Sequence, residues 1–239
     1  GAGALRPAWR PRRAARAAEA GGAPAPVEEE TLRHVLERGA RLAAEKGLLP
    51  EELPAEPVAQ VELSGRSAEA AAREIAEALG GAASTGCAVV LQGAARGEKA
   101  AVVAELRHRL GRAEVWPMAT FFRAMTFMLL TFSEQTGSSL QDVLQRPEML
   151  AAGIEMIEEM GEGKSLGDLA ANAESMMAMT SDASKIDEHL PLALEYGQGE
   201  VVNFVTSSLG KVAGNGMVVL LDGQEETLRY IRSPHRFQL

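Results

Sequence analysis

Lys99 and the glycines before it are the residues of this sequence whose spacing could hold a phosphate. The segment Gly93–Ala100 reads GAARGEKA; it follows an apolar run and precedes a helical pattern. In the phosphate-binding loop G-x-x-x-x-G-K-[ST], backbone N–H groups and a lysine cradle the phosphates of a nucleotide. Gly93 and Lys99 stand where that pattern requires them. Gly93, Gly97 and Lys99 are therefore candidate phosphate-binding residues.

Two positions of this loop depart from the phosphate-binding pattern. Glu98 replaces the second glycine, and Ala100 replaces the hydroxyl residue that reaches Mg²⁺. A carboxylate close to a phosphate costs roughly 1–4 kcal/mol, depending on the local dielectric. Phosphoryl transfer works mainly by positioning and charge neutralisation. These replacements therefore predict a loop that keeps the spacing of the pattern but has lost much of its capacity to bind phosphate and Mg²⁺. In that case Lys99 can equally be a solvated lysine in the first turn of a surface helix.

Two further charged residues occur in apolar surroundings. Arg123 interrupts residues 118–135, an almost uniformly apolar helical pattern that predicts burial on most sides. A buried arginine needs a hydrogen-bonding or charged partner, and we expect Asp222 or Glu225 to supply it. Asp222 ends an apolar strand, where α/β sheets bind ligands, although an Asp-Gly turn explains it equally well.

Together these segments resemble the cytidylate kinase family of P-loop nucleoside monophosphate kinases, over about residues 87–239. The family has GxSGxGKGT where this chain has GAARGEKAA. The stretch WPMATFFRAM is similar to the family's D-[ST]-G-x-x-[YF]-R-A, with Phe122, Arg123 and Ala124 matching. The stretch VVLLDGQEET is similar to the family's strand ending D-G-R-[DE]-x-x-T, with Asp222 matching.

The same comparison shows further departures. Pro117 and Ala119 replace an acidic residue and a glycine of the family, and Gln224 replaces an arginine that would face a substrate phosphate. The family also continues into an arginine-bearing lid helix at about Leu239, so those cations are missing if the chain ends there. We therefore expect a degenerate member of the family.

The resemblance implies a nucleotide site formed by the glycines and Lys99 with Arg123 and Asp222. The departures imply that it is inactive, with no catalytic residue, no metal site and no cofactor. The expected function is then that of an accessory or structural subunit of a larger organellar assembly. The alternative is a divergent (d)CMP kinase that uses ATP and Mg²⁺ to phosphorylate a pyrimidine nucleoside monophosphate. A third possibility is a nucleotide sensor that binds without turnover.

Composition restricts the class of protein. The 239 residues include 33 acidic and 24 basic side chains, a net charge of −9, which argues against a nucleic-acid-binding protein. The single cysteine, Cys87, excludes an intrachain disulfide and a Cys-rich zinc site, and it is expected to be a buried small hydrophobe. The longest apolar run, residues 121–132, is shorter than the roughly 20 residues that span a bilayer. We expect a soluble or peripheral protein without a transmembrane segment.

The first 26 residues are rich in arginine and have no acidic residue before Glu19. This resembles an organelle-targeting peptide, and a plastid is favoured over a mitochondrion. The alternative is a basic disordered arm that a partner surface holds. The expected partners are protein subunits of a larger complex, and one such partner would be a membrane complex to whose surface the chain binds.

The predicted fold is a P-loop three-layer α/β/α domain with a parallel sheet and a helical, Met-rich insertion. Residues 1–57 form an N-terminal arm, helix and linker, and residues 58–239 form the domain, with the insertion at about 133–195. Its methionines are expected to fill the core rather than to bind a soft metal. Hydrophobic patterns, together with capping residues, glycines and prolines, predict helices over 27–47, 67–79 (capped by Ser64), 98–110, 118–135 and 198–212. A run of short helices is predicted over 133–189, with a break at Pro191. Strands are predicted over 58–63, 88–92, 113–116 and 217–221.

Overall fold

The chain folds around a five-stranded parallel sheet with the strand order β1-β5-β2-β4-β3. This computed structural model describes residues 29–93, 96–161 and 183–239. The predicted class, α/β with a parallel sheet between two helical layers, is confirmed. The elements are α1 (Glu29–Glu45), β1 (Ala59–Gln60), α2 (Ala68–Leu79), α3 (Ala82–Thr85), β2 (Cys87–Gln92), α4 (Arg96–Leu110), β3 (Ala113–Pro117), α5 (Met118–Thr136), α6 (Leu140–Leu144), α7 (Pro147–Gly161), α8 (Ala183–Ala213), β4 (Val218–Asp222), α9 (Glu225–Leu228) and β5 (His235–Gln238).

The central strands β2 and β4 are apolar on both faces because helices cover both sides of the sheet. Val89 and Leu91 of β2 point into one core with α2 and α4, whereas Val90 points into a larger core with α1, α5, α7 and α8. Helix α5 lies within the larger core, which explains its apolar sequence. Cys87 is partly buried against the smaller core, and burial raises the pKa of its thiol.

The bounds predicted for helix α2 are close to those of the structure, but the predicted N-cap residue is wrong. Ser67, not Ser64, is the N-cap residue, and its hydroxyl accepts a hydrogen bond from the backbone N–H of Ala70 at 3.2 Å. The backbone N–H of Ser64 instead donates to Glu62 in the preceding turn. The strand predicted over 58–63 is also shorter, since only Ala59 and Gln60 pair with β5.

The predicted break at Pro191 is wrong. Helix α8 runs for 31 residues through this proline. A proline inside a helix removes one hydrogen bond and costs about 3 kcal/mol. Burial on both sides of it, at Ile186 and Leu194 and further along at Val201 and Val205, offsets that cost. Residues 162–182 of the predicted insertion, which include Met176, Met177 and Met179, lie outside the described residues. Met149 and Met156 of the insertion pack against the larger core, as predicted.

The sequence prediction missed strand β5, which has four residues and lies between β1 and β2. Its Arg236 is 5% exposed and donates to Gln92 Oε1 and to the carbonyls of Leu228 and Ile231. The remaining partner is Glu56, whose Oε2 lies 2.9 Å from Arg236 Nη2. This buried arginine therefore joins the connector after α1 to the central strands.

Glu56 is held in its charged form. Burial alone would raise the pKa of its carboxyl, but hydrogen bonds from Arg236, the Ser233 backbone N–H and Arg232 outweigh burial and hold the pKa below its usual value. A lowered pKa in the folded state stabilises the protein above the unfolded-state pKa of about 4.3, and this stabilisation is lost as the pH falls through the lower folded-state pKa.

Replacing Glu56 should therefore change the acid dependence of stability. Glu56→Gln should lower the free energy of unfolding at pH 7 and should flatten its decline below about pH 4.3. Urea unfolding at a series of pH values measures both effects. The exposed Glu52 on the same connector supplies the control, because Glu52→Gln should keep the wild-type curve. Identical curves for Glu56→Gln and wild type would contradict this role.

Helix α1 packs against α8 at a position where there is no room for a side chain. A Cβ atom on Gly39 would lie 2.6 Å from the carbonyl oxygen of Leu194 and 2.8 Å from Gln198 Oε1. On the other helix, a Cβ on Gly199 would lie 2.9 Å from atoms of Ala43 and Leu48. The helix of the predicted N-terminal segment thus shares a core with the domain predicted over 58–239.

Gly39→Ala should lower the free energy of unfolding by about 1–3 kcal/mol because the two helices must move apart. Gly210→Ala is the matched control: it lies on an exposed side of α8 with no atom within 4 Å of an added Cβ. This control should be neutral or more stable by about 0.5–1 kcal/mol. Urea unfolding compares the two, and equal stability would contradict the close packing.

Candidate functional site

A cavity of about 610 Å³ opens at the carboxyl ends of β3 and β4. The neighbouring strands β2 and β4 are followed by connections toward opposite edges of the sheet, and open parallel sheets bind ligands at the carboxyl ends of such strands. Asp222 at the end of β4 lines the cavity. Most of its wall is apolar. The lining residues are Leu32, Val35, Leu36, Lys99, Pro117, Met118, Ala119, Phe122, Arg123, Asp187, Leu190, Pro191, Leu194, Asp222, Gly223, Gln224 and Thr227.

Lys99 lines this cavity and is only 6% exposed. Its first-turn position on α4 lets the side chain reach the end of β4. There Nζ lies 2.8 Å from Asp222 Oδ1 and donates a hydrogen bond of 3.3 Å to the carbonyl oxygen of Gly223. Lys99 was expected to be either a phosphate-binding lysine or a solvated lysine of a surface helix. Its burial contradicts the second expectation.

Arg123 also lines the cavity, and it forms an ion pair with Asp187 of α8. We expected Asp222 or Glu225 as its partner. That expectation is wrong because Asp222 already holds Lys99, whereas Asp187 approaches Arg123 from the opposite helix. No sequence signal marks Asp187, since its position depends on how α8 packs against α5.

The two candidate glycines differ in their surroundings. Gly93 has φ 134°, and a Cβ there would lie 2.2 Å from the carbonyl oxygen of Leu239. The close approach of the chain after β5 therefore requires glycine at position 93, independently of any ligand of the loop. Gly97 is exposed, with no atom within 4 Å of an added Cβ. Residues 94–95 of the loop lie outside the described residues, so the phosphate-binding conformation stays a prediction.

The replaced residues of the loop face solvent. Glu98 and Ala100 are exposed in the first turn of α4. A carboxylate there interacts favourably with the helix dipole, which is a structural reason for Glu98. Gln224 lines the cavity beside Gly223, and an added Cβ on Gly223 would lie 2.8 Å from Met118 Cγ. Gly223 is thus needed for the close packing of α5 against the turn that follows β4.

The charges around the cavity balance. Lys99 and Arg123 each have an aspartate as partner, so the four charged side chains of the lining carry no net charge. A second cleft, which shares Gln224 with the cavity, is lined by Glu30, Arg33 and Glu226 and carries one excess negative charge. Sequence reasoning missed this balance because it depends on Asp187, which the packing of α8 brings to Arg123. It missed the second cleft because α1 brings Glu30 and Arg33 there.

Within the described ranges, no group of three or more His, Cys, Asp or Glu side chains converges as a metal site. None of the helices in the described ranges is long and apolar enough to cross a bilayer. Comparison of the chain with models of protein families, with curated proteins and with solved structures finds no match. The function must therefore be argued from the cavity and its charges.

The Lys99–Asp222 pair should contribute more to stability than a surface pair. A double-mutant cycle with Lys99→Met and Asp222→Asn should give a coupling energy of about 1–3 kcal/mol in urea unfolding. The control cycle removes Lys211 and Glu158, which form an exposed pair at 3.3 Å and should couple by about 0.5 kcal/mol or less. Equal coupling in both cycles would show that Lys99 is not held as described.

Proposed function

We propose that this chain is a catalytically inactive protein of the cytidylate-kinase type that serves as an accessory subunit of a larger protein assembly. The observation that carries the proposal is the ion pair of Lys99 with Asp222. In a phosphate-binding loop the lysine contributes its positive charge to the phosphates of the nucleotide. Here a carboxylate at 2.8 Å compensates that charge, and only a small part of the side chain is exposed.

Other features support the loss of phosphoryl transfer. The site has no net positive charge to neutralise a transferring phosphoryl group, because Asp187 compensates Arg123 in the same way. Ala100 provides no hydroxyl for Mg²⁺, and the exposed Glu98 adds a negative charge to the first turn of α4. An anionic nucleotide would have to separate two ion pairs before it gained its own contacts.

Support for the accessory role comes from the sequence. The arginine-rich first 26 residues, which lie outside the described residues, suit a contact with an acidic partner or an organellar address. In the described part of the chain, Val58 is the only large hydrophobic residue that is exposed, so a partner on this surface would make mainly polar contacts. Plastid rather than mitochondrial location remains the favoured proposal.

A kinase assay tests the loss of catalysis. The purified chain, given CMP, ATP and Mg²⁺, should form CDP no faster than its Lys99→Met variant, because any residual rate then comes from contaminants. CDP formation that depends on Lys99 would overturn the proposal. The accessory role has a separate test: Lys99→Met expressed in place of the wild-type chain should still sediment with the organellar assembly, and sedimentation of the wild-type chain as a free protein would contradict it.

The second candidate function is a divergent (d)CMP kinase. One observation favours it: the cavity brings Lys99, Arg123 and Asp222 together, and its volume is within the roughly 300–1,000 Å³ of ordinary ligand sites. ATP and Mg²⁺ would then be its cofactors. The same assay separates the two functions, and a chain that binds CMP without forming CDP would be a nucleotide sensor.

A further inference from the structure

We propose that the cavity beside Lys99 binds an uncharged small molecule, with a largely apolar body and one hydroxyl or amide N–H end, in preference to any anion or cation. This inference rests on the proposed function, because it uses the same compensated charges. It goes further by naming the class of ligand. Binding and CDP formation are measured independently, so that either proposal can fail without the other.

The wall of the cavity is suited to an apolar body. Three helices supply its side chains, with Leu32, Val35 and Leu36 from α1, Leu190 and Leu194 from α8, and Met118 and Phe122 from α5. Burial of a ligand against this surface contributes roughly 25 cal/mol for each Å² of apolar area removed from water. The wall therefore supplies binding energy without requiring a charge on the ligand.

The charges of the site disfavour both kinds of ion. An anion near Lys99 or Arg123 meets the carboxylate that already contacts each of them, and the adjoining cleft adds Glu30 and Glu226 against a single Arg33. A cation near the aspartates meets the same two basic side chains. A charged ligand would thus lose hydration without a compensating partner, which carries a large penalty in an apolar site.

Asp222 is one lining group that can still accept a hydrogen bond from a ligand. A carboxylate has about four lone-pair sites. Asp222 can therefore keep its Oδ1 on Lys99 and still accept a hydrogen bond, since its side chain lines the cavity and is 29% exposed. Such an acceptor selects a ligand end that donates, which is why the proposal names a hydroxyl or an amide N–H.

Three ligands of equal chain length test the preference. Titration calorimetry with 1-decanol, decanoate and decylammonium, below their solubility limits, changes the head group from neutral to anionic to cationic while the ten-carbon chain is kept. Decanol should bind at least about tenfold more tightly than either ion. Decanoate, decylammonium or CMP binding as tightly as decanol would overturn the proposal, as would the absence of decanol binding.

Filling the cavity locates the binding site. Ala119 is an exposed residue of α5 on the cavity lining, and Ala119→Trp should weaken decanol binding at least about tenfold. Ala104→Trp, at an exposed position of α4 that is not part of the lining, should bind decanol like wild type. Leu190→Phe gives a second, smaller filling if Ala119→Trp unfolds. Equal binding by the filled and control variants would place decanol elsewhere and contradict the proposal.

Discussion

The ion pair between Lys99 and Asp222 connects the first turn of α4 to the end of β4, and the character of the cavity depends on it. A lysine at 6% exposure needs its charge compensated, and the aspartate does so at 2.8 Å. The same contact removes the positive charge that a nucleotide phosphate would require. In the proposed function, this contact is the common cause of stability and of the loss of phosphate binding. The second pair, Arg123 with Asp187, extends the charge balance across the cavity to α8.

The N-terminal segment of the described chain completes both the sheet and the cavity. Strand β1 pairs with β5, and Glu56 in the connector holds the buried Arg236 of β5. Helix α1 packs on α8 at Gly39, and this packing places Leu32, Val35 and Leu36 in the cavity wall. Part of the apolar wall, on which the proposed preference for an uncharged ligand depends, is therefore supplied by α1, outside residues 87–239, and the rest comes from α5 and α8 within them.

Much of the fold could be predicted from the sequence, because α5 is a long, almost uniformly apolar stretch and β4 a short continuous apolar run, and glycines or prolines flank both elements. Strand β5 could not, because four residues with a buried arginine carry no such pattern. Pro191 misled the prediction of α8, since tertiary burial there outweighs a local preference. At the site, Lys99, Arg123 and Asp222 could be selected in advance. Their pairing could not, because Lys99 reaches Asp222 from the following helix α4, and because the partner of Arg123 is Asp187, which the packing of α8 brings to α5.

The central claim is that Lys99 stays on Asp222 when a nucleotide is offered. Nitrogen NMR of the lysine ammonium groups tests it most directly, with the Lys99 signal assigned by its loss in Lys99→Met. The account predicts that this signal is unchanged by millimolar ATP with Mg²⁺ and by CMP. A saturable shift of the Lys99 signal on addition of either nucleotide would show that the lysine moves to a phosphate, and would contradict the account.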